Sequence, residues 1–278
     1  MTAPLLVLLL AASPQRIVST SPSITEILFA LGLGDRVAGV TTYCHYPPEA
    51  RNKPKIGSFI QPDLEAIASL RPDLVIIQKN PIQFASKLDR LALRWLEVDY
   101  PSVEQTLNAI ERIAEACGEP ARGTTLAASL RGQLDTVRQS TSAHPRTTIA
   151  FIIGRNANAI DGLFVAGRSS YLSGLIEIAG GTNVFADAAG SYPRITLESL
   201  VARNPDVIVD MGDMSDLAAV TQAQRKAVVA LWSKQTALGA ARNRRVHAVS
   251  DESFTMPGPR MAHAARTLAL LLHGANPQ

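Results

Sequence analysis

Leu64-Glu-Ala-Ile-Ala-Ser-Leu-Arg-Pro-Asp-Leu-Val-Ile-Ile77 is echoed by Leu197-Glu-Ser-Leu-Val-Ala-Arg-Asn-Pro-Asp-Val-Ile-Val-Asp210, with Leu, Glu, Pro and Asp in register. Each copy reads as an amphipathic helix that stops before a Pro-Asp turn and feeds an apolar strand. Proline disfavours helical geometry in the residue before it, and a run of β-branched residues favours a strand. The same α-to-β unit in both halves predicts a duplicated α/β fold. A fainter parallel relates Ile24–Gly32 to Leu172–Gly180, both apolar helices ending in glycine.

Outward from these copies, strand-type runs alternate with helix-type stretches, the order expected of parallel α/β architecture. The strands are predicted at 16–20, 36–41, 74–77 and 93–99, then at 148–154, 183–187, 206–211 and 245–250. Between the two groups, Val103, Leu107, Ile110, Ile113 and Cys117 recur at helical spacing. Gly118 stops that helix and Pro120 opens the next, which carries Leu126, Leu130, Leu134 and Val137 on one face. The predicted plan is a signal or unstructured segment at 1–15, an α/β lobe at 16–118, a connecting helix at 119–144 and a second α/β lobe at 145–278.

Composition narrows the function classes. Of the 278 residues, 46% are hydrophobic and 18% charged, which is globular and not disordered. The formal charge is +3, and no run of basic residues is longer than Arg244-Arg245, so no nucleic-acid groove is indicated. The apolar run Leu5 to Ala12 is too short to span a membrane. It suits the core of a signal peptide followed by the small residues Ala11-Ala12-Ser13, although the positively charged leader is missing. Cys44 and Cys117 stand alone, without metal-ligand spacing. They read as small buried residues, with a disulfide as the alternative in an exported chain. No GxSxG, GxxxxGK[ST] or HExxH is present. Among five histidines, only His45, with Asp251, is placed for a metal site, too few for one. The expectation is no enzyme, no cofactor and no metal.

Aromatic placement is more informative. Tyr43, Tyr46, Phe59, Phe164, Tyr192 and Phe254 all fall in predicted loops beside Pro, Gly or Ser, where they suit stacking on a broad, partly apolar ligand.

Four segments of the first half resemble the periplasmic binding proteins for cobalamin and iron-chelate uptake: Arg16–Gly32, Gly39–Ala50, Ile56-Gly-Ser-Phe59 and Leu64–Ile76. The second half continues the likeness through Gly167-Arg-Ser-Ser, Ala179–Phe185, Leu197-Glu198 and Ser250-Asp251. The Tyr43–Ala50 segment is most similar to the cobalamin branch. The resemblance implies two Rossmann-like lobes with parallel-type sheets, joined by one long helix, with a ligand cleft between them. It implies an extracytoplasmic, monomeric solute-binding protein that delivers cobalamin or a related corrinoid to an ABC-transporter permease dimer and its ATPase. Aromatic residues at Tyr43, Phe59, Phe164 and Tyr192 would sandwich the corrin, with Ser21, Pro22 and Asp251 on the rim; Phe254 joins the ligand set as a loop aromatic. Phe59 and Tyr192 stand where that branch uses tryptophan.

Glu65 and Glu198, at equivalent places in the repeat, match the glutamates that pair with permease arginines in the family. On the residues alone, each also suits a helix N-terminus. Arg155, Arg168, Arg194 and Arg260 leave open an anionic iron chelate, a siderophore or haem, held by charge-assisted hydrogen bonds. An enzyme on a related scaffold, chelatase-like or an oxidoreductase subunit, and a sensor of the same ligand are the remaining alternatives.

Overall fold

The computed structural model describes residues 13–79, 84–212 and 221–274. The apolar run Leu5 to Ala12, read as a signal core, lies outside them. The chain divides into two compact units, one of Met1–Val98 with Ile110–Leu126 and the other of Asp99–Ala109 with Ala127–Gln278.

The first unit runs β1 (Ile17–Ser19), α1 (Pro22–Ala30), β2 (Val37–Val40), α2 (Leu64–Ser69), β3 (Leu74–Gln78), α3 (Phe84–Arg90) and β4 (Trp95–Val98). The strands pair in the order β2-β1-β3-β4, all parallel. Val18, Val75 and Ile77 from the sheet pack with Ile56, Ile67 of α2, and Phe84 and Leu88 of α3. Strands covered on both faces are apolar without alternation, which is why β1 and β3 were legible as short apolar runs.

Two helices follow. α4 (Val103–Ala116) buries Leu107, Ile110 and Ile113, and ends before Gly118 at φ +76°. α5 (Pro120–Thr141) opens on the proline and buries Ala127, Leu130, Leu134 and Val137. The boundary between the units falls inside both helices.

The second unit contains β5 (Thr147–Gly154), β6 (Leu163–Val165), α6 (Tyr171–Ile178), β7 (Gly181–Asn183), β8 (Arg194–Ile195), α7 (Leu197–Arg203), β9 (Val207–Asp210), α8 (Gln222–Ser233), α9 (Gly239–Arg242), β10 (Val246–Ala248) and α10 (Met261–His273). Its parallel strands pair in the order β7-β5-β9-β10, the same winding as β2-β1-β3-β4. Added to this plan, β6 pairs antiparallel with the end of β5, and β8 pairs antiparallel with β6.

The repeat that decides the fold recurs in the structure as the same sequence of cap, left-handed turn and strand tie. Asp63 caps α2 and Thr196 caps α7, each accepting from backbone N–H groups of the first turn. The residue before each proline turns left-handed, Arg71 at φ 44° and Asn204 at φ 40°. The aspartate that follows then ties down the first strand of its own unit. Asp73 accepts from the backbone N of Arg16 at 2.9 Å, and Asp206 from the backbone N of Thr148 at 3.0 Å. The Thr148 hydroxyl, at 2.6 Å, holds the Asp206 carboxyl below the usual carboxylate range. The fainter parallel is also physical. α1 and α6 are capped by Ser21 and Ser170, and both are followed by glycines at positive φ, Gly32 and Gly180.

Three sequence expectations need correction. The strand predicted at 183–187 is β7, Gly181–Asn183, because the Asn183 side chain accepts from the backbone N of Phe185 at 3.0 Å and turns the chain out of the sheet. β6 and β8 were not foreseen, and Phe164, expected in a loop, lies in β6. The signal for β6 was the Asp161-Gly162 turn pair before an apolar run. The reading of Cys44 and Cys117 as small buried residues holds: both are buried and unbridged, and burial pushes the Cys117 thiol up to about 11.

Candidate functional site

In a doubly wound sheet, ligands gather where the carboxyl ends of the strands meet and the winding reverses, here beyond β1 and β3 and beyond β5 and β9. Of the expected ligand residues, Ser21 and Pro22 follow β1 directly; Tyr43 lies beyond β2, Phe164 in β6, Tyr192 just before β8, and Asp251 after β10.

In the first unit, β1 leads into Ser21, whose Oγ accepts from the backbone N of Ile24 at 3.4 Å. With that hydroxyl spent on the cap and the residue 1% exposed, Ser21 is part of the framework, and Pro22 beside it begins α1. Beyond β2, the backbone N of Thr42 donates to the Gly57 carbonyl at 2.9 Å and joins the Tyr43 loop to the Phe59 turn. Tyr43 is 53% exposed, Tyr46 is exposed, and Phe59 is half-buried next to the exposed Ile60.

Sequence reasoning missed what holds this loop. The Cys44 thiol takes a hydrogen bond from the Thr25 hydroxyl at 3.1 Å and lies 3.1 Å from that of Thr41, and Ser19 Oγ is 2.8 Å from Thr25 Oγ1. This buried polar knot anchors Cys44, so the neighbouring Tyr43 is turned outward on a fixed stem. Gly57 is the second anchor. It sits at φ +83°, and a Cβ there would meet the Gln61 carbonyl at 2.5 Å. Gly57→Ala is expected to destabilise the protein by about 1–3 kcal/mol and weaken ligand binding by misplacing Phe59; denaturant titration and calorimetry measure the two effects.

In the second unit, Phe164 projects from β6 between buried Leu163 and Val165 and is 39% exposed, opposite Gly154 on one side and Arg194 on the other. The 190–193 segment runs alongside, with the backbone N of Gly167 donating to Ser191 at 2.8 Å and that of Val165 to Pro193 at 3.1 Å. Tyr192, between these bonds, is also 39% exposed, while desolvation raises its phenol above the ordinary value. The approach is close enough that a Cβ on Gly167 would meet the Gly190 carbonyl at 2.4 Å.

Asp251, after β10, caps a short turn through the backbone N of Ser253 at 2.9 Å and lies 2.9 Å from His263 Nε2. Burial pushes its carboxyl up, but the Ser253 hydrogen bonds and His263 outweigh this and hold it below the usual range. Phe254 is a correction: it is fully buried, its ring meeting Phe151 edge-on at 5.2 Å. An aromatic residue flanked by turn formers looks like a loop tip in sequence, yet here it plugs the turn onto the core.

The four arginines separate. Arg155 is internal, its Nε 2.8 Å from Asp210 and its side chain only 4% exposed. Arg168 donates to the Ala186 carbonyl, and Arg260 lies 3.9 Å from Asp251. Arg194 is exposed beside Phe164. Among the described residues, no group of three His, Cys, Asp or Glu side chains could hold a metal ion, and no helix is long and apolar enough to cross a membrane.

Glu65 and Glu198 occupy the second position of α2 and α7, both exposed. The Glu198 carboxyl is held below its ordinary value by its own backbone N–H and by Thr196.

Two doubly wound sheets of identical strand order, each carrying exposed aromatics at its carboxyl ends, define a duplicated solute-binding scaffold. The chain belongs to the periplasmic binding protein family, whose pattern matches residues 17–252. It is 29% identical over 262 residues, 93% of this chain and 86% of the relative, to a vitamin B12-binding protein of Yersinia pestis (strain Pestoides F). Among solved structures, the periplasmic heme-binding protein RhuT from Roseiflexus sp. RS-1 in apo form is 29% identical with a TM-score of 0.77, covering 95% of this chain and 99% of that one. The periplasmic vitamin B12-binding protein BtuF of Vibrio cholerae superposes with a TM-score of 0.77 at 24% identity, covering 96% and 99%, and supports the fold.

Proposed function

We propose that this chain is the extracytoplasmic solute-binding component of an ABC importer and that its ligand is cobalamin or a related corrinoid, captured without chemical change. The observation that carries this reading is the set of aromatic side chains left outside both cores. Tyr43 and Phe59 from the first unit, with Phe164 and Tyr192 from the second, offer ring faces to a flat, largely apolar macrocycle. Likeness to proteins named for vitamin B12 binding supports the same ligand class.

Haem is the second reading, favoured by the exposed Tyr43 phenol, an oxygen donor of the kind that ligates haem iron, and by Arg194 beside Phe164 for a propionate. An anionic chelate held by several arginines has less support, because Arg155 is committed to Asp210. Calorimetric titration with cyanocobalamin, haem and a ferric siderophore separates these readings. One-to-one binding of cobalamin alone is the expected result; binding of haem alone would move the assignment to Tyr43 and Arg194.

Glu65 and Glu198 are the residues we assign to permease docking. Each projects from the first turn of a matching helix, and a pair of like charges on a duplicated scaffold suits a two-fold partner carrying arginines. Glu65→Gln with Glu198→Gln is expected to cut uptake at least tenfold while leaving ligand affinity and the thermal midpoint near wild type. Normal uptake by the double variant would remove the docking assignment.

A further inference from the structure

The geometry points to a basic face on the β10 edge of the second unit that rests on an anionic phospholipid surface. From Leu217 to Ser250 the chain has six of its 27 basic residues, Arg225, Lys226, Lys234, Arg242, Arg244 and Arg245, and none of its 24 acidic ones. Without those six, the formal charge of +3 would be negative. The positive charge of the protein is therefore local, on a chain whose remainder carries a small negative excess.

Arg225 and Lys226 of α8 line the groove toward β10, Lys234 after its last turn is turned to the Arg155 side, and Arg242, Arg244 and Arg245 lead directly into β10. β10 is the edge strand of its sheet, and α8 packs beside it and against α9. α8 buries Trp232 and half-buries Val228 and Leu231, and leaves the rest of its length exposed. Arg225, Lys226, Lys234, Arg242 and Arg244 are exposed, and among the described residues no carboxylate forms an ion pair with any of them. Val229, 39% exposed, gives this side some apolar surface, and a groove lined by Arg225, Lys226, Val229, His247 and Leu271 runs between α8 and β10. Basic side chains around a modest apolar strip are the composition of an interfacial surface that reads negative headgroups and inserts shallowly. Nucleic acid is a poor match, since the exposed face offers no aromatic side chain for base stacking.

Placement agrees with a membrane-proximal role. α7 and α8 cover the same face of the sheet, both packed into the cluster around Leu200 and Trp232. Glu198 at the start of α7 and the basic residues of α8 therefore belong to one side of this unit. That link rests on the docking assignment above; the charge argument does not.

The test is sedimentation of the full chain with phosphatidylcholine–phosphatidylglycerol vesicles and with pure phosphatidylcholine vesicles, in low salt and at about 150 mM salt. Binding is expected to the anionic vesicles alone and to weaken with salt. Replacing Arg225, Lys226 and Lys234 by Gln should lower the partition coefficient roughly 100-fold, at about fivefold per residue. The matched variant Lys87→Gln, Arg90→Gln, Arg94→Gln, which removes three exposed charges from the first unit, should bind as wild type. All these side chains are exposed, so circular dichroism and the thermal midpoint should not change. Absence of anionic-vesicle binding overturns the proposal, as does an equal loss in both variants, which would reduce it to net charge. Unchanged vesicle binding by the α8 variant, with weaker binding to the permease in neutral nanodiscs, would replace the lipid by a protein partner. Glu198→Gln should bind vesicles normally, so failure of the docking assignment and failure of this one give different results.

Discussion

Asp210→Ala is expected to destabilise the protein by about 3–5 kcal/mol, the cost of leaving one member of a buried ion pair without its partner. Asp210 is fully buried at the end of β9, where Oδ2 accepts from Arg155 Nε at 2.8 Å and from Trp232 Nε1 at 2.5 Å, while Oδ1 accepts from the backbone N of Gly212 at 2.6 Å. The carboxylate thus joins β9, α8 and the chain after β5. Removing it strands a guanidinium, an indole N–H and a backbone N–H in the interior, each of which had exchanged water for that one acceptor. Arg155 Nη1 also donates to the carbonyls of Asn156 at 3.1 Å and Ala159 at 3.3 Å, which fixes the turn leading to β6 and Phe164. Ligand affinity should therefore fall along with stability. Denaturant titration measures the first effect and calorimetry on the remaining folded fraction the second. In the double variant Asp210→Leu, Arg155→Met both charges are gone, and much of the stability should return. If Asp210→Ala unfolds at the wild-type denaturant midpoint, the pair does not hold this side of the unit together.

This node shows where sequence reasoning stops. The two copies of the α-to-β unit were legible because helix periodicity, a Pro-Asp turn and an apolar strand are all local signals, and the structure assigns the recurring aspartates one task, tying Arg16 in one unit and Thr148 in the other. Asp210 ends the second copy where Ile77 ends the first, and nothing adjacent in sequence names Arg155 and Trp232 as its partners. Pairing across 55 residues is a property of the packed sheet. The same reason explains Arg155, which in sequence was one of four arginines available to an anion. It explains Cys44 too, whose hydroxyl partners Thr25 and Thr41 come together only when β2 returns beside β1. Burial of an isolated aromatic is equally non-local. Tyr43 and Phe254 both stand among turn-forming residues, yet one is 53% exposed and the other has no exposed surface.

That contrast supports the last prediction. Tyr43→Ala and Phe164→Ala should each weaken corrinoid binding by roughly 10- to 150-fold, the equivalent of about 1.5–3 kcal/mol for an aromatic side chain that becomes buried against a ligand. Because both rings are substantially exposed in the free protein, the cost falls on the complex, and the unfolding midpoints should stay close to wild type. Tyr43 and Phe164 belong to different units, so if both stack on one ligand the losses should add, about 10²- to 10⁴-fold in the double variant. Phe254→Ala serves as the opposite control. Its ring fills the core against Phe151, so its removal should cost about 3–5 kcal/mol of stability, as Phe-to-Ala changes in cores do. The folded fraction of that variant should retain near-normal affinity. Calorimetry and denaturant titration on all four variants separate the two kinds of aromatic. Unchanged affinity in both Tyr43→Ala and Phe164→Ala would mean that the ligand is not held by ring stacking, whereas loss in Tyr43→Ala alone, with haem as the ligand that binds, would identify the phenol as an iron donor.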